Sequence, residues 1–313
     1  MDRLVFTKFA QRHSLFDSGI IDTLAELESN GKFDDILNKI FNIPAAGPRY
    51  RYHDHQVFLS SHKTFNVYPL NDPELAKKGL HVARHVFANY KHLDRSTWGS
   101  FNKSGLLVFE DFFDAHVDRL VNIIESSPPS MNKQPANMCG QVFADSIEFK
   151  DIVDQCIGVD TTAQLLNNTF AQTVDNKEDD NDEQKDYHLD TFFPALKFWW
   201  FPEDVNVDQG PFVYVENSPL MSDEKLDWYY KQTCLVTDGS WDKSRRRGHP
   251  EGSLRVDETE LFLMNLHACP VPVKANTLVV ANVGGFHGRG HVAGEHIRRA
   301  IHGSVRIANP FTR

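Results

Sequence analysis

The sequence predicts a mainly β fold: a double-sheet jelly roll with helices packed on one sheet. Two observations point to it. Short apolar strands separated by turn residues follow a helix-rich first third. Along the later strands polar and apolar residues alternate, so each strand presents a chemical face and an apolar back.

Length and composition set the bounds. With 313 residues, 41% of them hydrophobic, the chain can bury a sizeable core as one large domain or one domain with an appendage. The net charge of −10 excludes the broad basic footprint that nucleic acid or an anionic membrane surface would select. No apolar run approaches the roughly 18 residues of a membrane span. Met1 to Phe6 lacks a signal-peptide stretch, and Phe311-Thr312-Arg313 is no peroxisomal address. Cys139, Cys156, Cys234 and Cys269 lie far apart, which reads as free thiols in a reducing compartment. A cytoplasmic protein with a small-molecule substrate is expected, as a monomer or homodimer.

In chain order, Ile20, Ile21, Leu24 and Leu27, then Phe33, Ile36, Leu37 and Ile40, predict helix over 17–42. Pro73 opens a second amphipathic stretch that runs to Leu93. Residues 1–95 are therefore expected as a helical extension packed on a core domain spanning 96–313. Ser104 to Phe109 is a short apolar strand. Glu110 to Ser126 carries Phe113, Val117, Leu120, Val121 and Ile124 on one helical side and stops at Pro128-Pro129. A short helix around Ile152 and a strand from Leu165 to Thr173 follow. Asp175 to Asp186 holds seven acids against Lys177 and Lys185, which predicts a solvated loop. Its position just before His188 makes it a candidate lid. Strands are expected within 187–201, at Phe212–Val215, from Thr277 to Val283 and from Ile297 to Ile307. Insertions are expected at about 175–186 and 221–270. The latter includes a helical stretch from Leu226 to Lys231 and the basic run Arg245-Arg246-Arg247.

The chemistry concentrates in three places. His188 and Asp190 are two apart on a strand and so share a face. Joined by one more histidine they make a two-His-one-carboxylate set, which leaves open coordination positions and suits non-haem Fe(II). His287 sits in the glycine-rich Gly284-Gly285-Phe286-His287-Gly288-Arg289-Gly290, whose glycines allow a tight turn into a site. Arg298 follows on the next strand, where its planar guanidinium can clamp a carboxylate. Arg299 competes for that role but points to the opposite face. Histidine is plentiful, 15 in all, so rivals exist. They are His53 and His55 around Asp54, the i, i+4 pair His81 and His85, and His291, His296 and His302. His302 shares Arg298's face.

These residues resemble the phytanoyl-CoA dioxygenase family of Fe(II)/2-oxoglutarate oxygenases. The match is carried by Gly105 to Phe113 with its helix, by His188-Leu189-Asp190 with Trp199 and Gly210, and by Val271 to Leu278 leading to His287, Arg298 and Ala300-Ile301. It covers roughly residues 100–307. Asn217-Ser218-Pro219 stands where the family has Gly-Ser-His. The resemblance implies a cupin-like double-stranded β-helix. It implies His188, Asp190 and His287 as ligands of Fe(II), with 2-oxoglutarate and dioxygen as cosubstrates. It implies Arg298 on the distal carboxylate of 2-oxoglutarate and Trp199 lining the cosubstrate pocket. It also implies oxidation rather than halogenation, because Asp190 fills the coordination site that chloride-binding members leave open. The alternatives are a cupin-type metal isomerase, a cosubstrate-independent oxygenase with the same ligands, and a non-catalytic jelly-roll binding protein.

Overall fold

The computed structural model describes Phe101 and residues 104–126, 136–157, 162–178, 182–190, 195–220, 222–237 and 254–306. The helices expected within 1–95, the pairs His53/His55 and His81/His85, and the basic run at Arg245 lie outside these residues.

Among the described residues, ten strands form two five-stranded sheets. The first takes β1 (Leu106–Phe109), β8 (Thr277–Asn282), β4 (Ala195–Phe201), β10 (Glu295–Arg306) and β2 (Thr169–Lys177), in that spatial order. The second takes β6 (Arg255–Val256), β3 (Tyr187–His188), β9 (His287–Arg289), β5 (Phe212–Val215) and β7 (Ala268–Val271). Every pairing is antiparallel. From β2 to β4, and again from β8 to β10, the chain steps from the first sheet to the second and back. This winding makes a double-stranded β-helix, the jelly roll expected from the alternating strands.

Alternation along the first sheet separates two cores. Phe198 and Trp200 on β4, Leu278 and Val280 on β8, and Ile301 and Val305 on β10 face outward into the larger one. There they meet α1 (Val117–Glu125), α2 (Ala136–Asp145) and α3 (Ile147–Ile157) through Leu120, Ile124, Phe143 and Phe149. Rings of Phe143, Phe149 and Phe198 pack with centroids 4.7–4.9 Å apart. Burying each such ring is worth roughly 3 kcal/mol, which fixes the helices to the sheet. The intervening residues, Phe201, Val279, Ala281 and Ala300, face the barrel interior with Phe212 and Tyr214.

Some boundaries differ from the sequence reading. The helix expected from Glu110 starts only at Val117, because Asp111 takes a positive φ of 50° and breaks the backbone first. Leu165 lies inside a short helix, α4 (Thr162–Asn168), and the strand begins at Thr169. A β-branched residue starts the strand where Asn-rich helix ends. α2 had no expectation, since its Ala, Gly, Cys and Asn give little amphipathic contrast. Within 221–270 the chain forms α5 (Asp223–Thr237), then β6, α6 (Glu258–Leu263) and β7, and both strands belong to the second sheet. A capping box between Asp257 and Glu260 starts α6.

Candidate metal centre

His188 lies at the end of β3 and His287 at the start of β9, and the antiparallel register pairs them directly. Leu189 turns away into the core, fully buried, so Asp190 returns to the face of His188. The Asp190 backbone N–H donates to the Val283 carbonyl at 3.0 Å, tying this segment to the end of β8. The three side chains converge, with one ligand atom from each lying within 4.8 Å of the others. Asp190 Oδ1 is 4.0 Å from Nε2 of both histidines.

The protonation of the rings follows from their second nitrogens. His188 Nδ1 lies 2.9 Å from the Asp186 carbonyl and His287 Nδ1 3.1 Å from the Gly285 carbonyl. A carbonyl only accepts, so each Nδ1 carries the hydrogen and each Nε2 lone pair faces the shared point. Burial, then the neighbouring His287, holds the His188 ring well below its usual range; burial pushes His287 down to about 4. Both rings are neutral at neutral pH, the form that binds metal. Two neutral imidazoles and one carboxylate converging on one point fit a divalent first-row metal with open positions.

The turn into His287 is constrained by space. A Cβ on Gly285 would stand 2.5 Å from the Tyr214 hydroxyl and 2.8 Å from Ser218 Oγ. Ser218 Oγ accepts from the Phe286 N–H at 2.7 Å and donates to the Val215 carbonyl at 2.5 Å. The fully buried Lys225 on α5 donates from Nζ to the carbonyls of Ser218 and Gly284. Asn217-Ser218-Pro219 thus braces the strand that carries His287.

A cavity of about 320 Å³ adjoins the triad, lined in part by Gln172, Gln184, Lys197, Trp199, Phe212, Arg289, Arg298 and His302. Trp199 packs against Phe212 at a tilt, centroids 4.4 Å apart, and its ring lies 6.4 Å from that of His287. Arg298 is buried at the cavity wall, and its Nη1 donates to the Gly210 carbonyl. Its Nε is buried without a hydrogen-bond partner among the described residues. Burial, then the Arg289 charge, lowers the guanidinium's pKa, but it stays charged at neutral pH, an incompletely paired cation in a closed wall. Arg299 points out instead and pairs with Glu203 at 2.8 Å. His302 lines the cavity, while His291 is exposed.

Two charged cavity residues had no sequence expectation. Lys197 pairs with Asp190 through Oδ2, the oxygen turned away from the histidines, and its side chain is 25% exposed. Its signal was a lone cation in the apolar strand Ala195–Phe201, two residues from Trp199 and therefore on the same face. Arg289 stands two residues after His287, again on one face. Its Nη1 donates to Asp182 Oδ2 at 2.7 Å. Asp182 also accepts from the Gln184 N–H at 3.0 Å, starting the 3-10 turn Glu183–Lys185. The acidic segment expected to be solvated is therefore strand up to Lys177 and is anchored again at Asp182.

No family model matches the chain, and no curated protein matches it. Among solved structures it is similar to the epimerase SnoN in complex with Fe3+, alpha ketoglutarate and nogalamycin RO. The TM-score is 0.44 at 13% identity, covering 72% of this chain and 83% of that one. It is similar to EctD from S. alaskensis with bound Fe, at TM-score 0.41, 12% identity and coverage of 68% and 77%. HygX from Streptomyces hygroscopicus with nickel and 2-oxoglutarate gives TM-score 0.39, 14% identity and coverage of 67% and 85%. Likeness at this level carries no argument about the site, which rests on the side chains described above.

Proposed function

We propose that this protein is an Fe(II)/2-oxoglutarate-dependent oxygenase that oxidises, most simply hydroxylates, a small molecule. The observation that carries this is the pairing of two unlike sites in one cavity. His188, Asp190 and His287 offer a facial set of two neutral imidazoles and a carboxylate, and the buried Arg298 lines the same cavity with an Nε that has no hydrogen-bond partner among the described residues.

His188, Asp190 and His287 would hold Fe(II). Arg298 would hold the distal carboxylate of 2-oxoglutarate, an anion that would complete the buried guanidinium's hydrogen bonds. With dioxygen, this centre supplies an oxidant for a substrate C–H bond while 2-oxoglutarate becomes succinate and carbon dioxide. The carbonyls of Asp186 and Gly285 keep both imidazoles oriented. Trp199 and Phe212 wall the cavity with apolar surface, excluding water and aligning a substrate against the triad. Asp190 occupies the position a halide would need, which favours hydroxylation over halogenation. The resemblance to the phytanoyl-CoA dioxygenase family in residues 100–307 supports the same reading. The acidic chain argues for a substrate without several phosphates.

The test is succinate formation from 2-oxoglutarate with Fe(II) in air. Succinate that disappears on chelation and returns with iron is expected. Bound iron without succinate, with or without candidate substrates, would replace this reading with a binding module.

A further inference from the structure

Arg289 is a cavity cation to which the proposed function gives no role. It rises from the same face of β9 as His287, two residues away, and its side chain is only 11% exposed. Arg298 lines the same cavity. Both arginines are anchored to one short stretch: Arg298 Nη1 donates to the Gly210 carbonyl, and β9 pairs Arg289 with Phe212. Among the described residues, one carboxylate acts on the two guanidiniums, Asp182, bonded to Arg289. Nε of each arginine is buried without a hydrogen-bond partner among the described residues. One buried and one largely covered cation against one such anion leave this corner with excess charge and unused donors. That arrangement is costly unless a ligand anion completes it.

We propose that Arg289 and Arg298 together form the carboxylate subsite for the distal end of 2-oxoglutarate, with Asp182 as an internal carboxylate competing for Arg289. This rests on the proposed function. A carboxylate has about four lone-pair sites, and two planar forks fill them where one cannot. The second arginine then sets selectivity for a dicarboxylate, while a 2-oxo acid without the distal carboxylate gains nothing from it.

The test uses Ni(II)-loaded protein, which does not turn over, and two ligands followed by calorimetry. They are 2-oxoglutarate and 2-oxopentanoate, which has a methyl group in place of the distal carboxylate. Wild type should prefer 2-oxoglutarate. Arg289→Met should cut that preference about tenfold or more while leaving 2-oxopentanoate binding unchanged, and Arg289→Lys should recover part of it. Asp182→Asn should tighten 2-oxoglutarate severalfold, because it frees Arg289. A strut role predicts the reverse, since losing either partner would then weaken binding. An unchanged preference in Arg289→Met, or weaker 2-oxoglutarate binding in Asp182→Asn, overturns the subsite. Should Arg289→Met fail to fold, Arg289→Lys and Asp182→Asn decide it. Loss of preference in Arg298→Ala but not in Arg289→Met overturns this inference alone. A wild type indifferent to the two acids overturns the 2-oxoglutarate reading itself, and the subsite with it.

Discussion

His188 and His287 stand directly opposite each other on β3 and β9, with ring centroids 4.5 Å apart. The ladder that joins the strands therefore also sets the spacing of the two imidazoles. One shifted register would send one ring to the other face of the sheet.

Removing either ring should remove the metal and spare the fold. His188→Ala and His287→Ala are expected to weaken Fe(II) or Co(II) binding by more than about a hundredfold. His291→Ala, at an exposed position, should leave binding unchanged. Chelator competition with thermal melting reads both quantities. Metal loss in His291→Ala with retention in His188→Ala would mean that the centre lies elsewhere.

Arg298 and Arg299 separate by face. Arg298 is buried at the cavity, whereas Arg299 reaches Glu203, whose side chain is 50% exposed. A buried charged pair that loses one partner costs on the order of 3–5 kcal/mol, an exposed pair under about 1 kcal/mol. Arg298→Ala should raise the apparent 2-oxoglutarate constant by about two orders of magnitude. Arg299→Ala should leave it near wild type and move the melting temperature slightly. The measurement is succinate formation against 2-oxoglutarate concentration, and loss confined to Arg299→Ala would reverse the assignment.

Much of this was legible before the structure, and the limits have physical causes. Period-two alternation placed His188 with Asp190 and separated Arg298 from Arg299, because a strand has only two faces. The same rule reaches Lys197 from Trp199 and Arg289 from His287. It says nothing of their partners, Asp190 and Asp182, which are set by sheet closure. Lys225 was out of reach as well: a lysine in Asp223–Thr237 reads as a solvated helix position, and only tertiary packing buries it. Charge patterning misjudged Asp182 for a related reason, since an acidic run predicts solvation only while no buried arginine faces it.

Lys197 raises a question of sign. Its ion pair orients Asp190, which is worth about 1–3 kcal/mol to a ligand held in one geometry. Its charge also repels an incoming dication a few ångströms away, by several kcal/mol at the effective dielectric of a protein. Repulsion is the larger effect, so Lys197→Met should bind Co(II) more tightly than wild type. Chelator competition at neutral pH checks this. Weaker binding would show that orienting the carboxylate dominates.

Lys225 supplies a prediction in pH. Burial lowers its amine from the usual 10.5 to about 7. The acceptors it meets, the carbonyls of Ser218 and Gly284, match the two N–H groups of a neutral amine as well as they match an ammonium. The folded pKa lies below the unfolded one, so between about 7 and 10.5 the unfolded chain binds more protons. Stability must therefore rise with pH across that window. The penalty is fully present below about pH 7 and fades toward 10.5. Lys225→Met removes this dependence and adds a constant cost of about 1–3 kcal/mol for each carbonyl left without a donor. Subtracting denaturant midpoints of variant and wild type, converted to free energy, cancels the other titrating groups. The difference should move in favour of wild type by a few kcal/mol between pH 7 and pH 10. A flat difference would mean that Lys225 stays charged throughout, held by its two carbonyls and by the Phe286 ring 5.1 Å away.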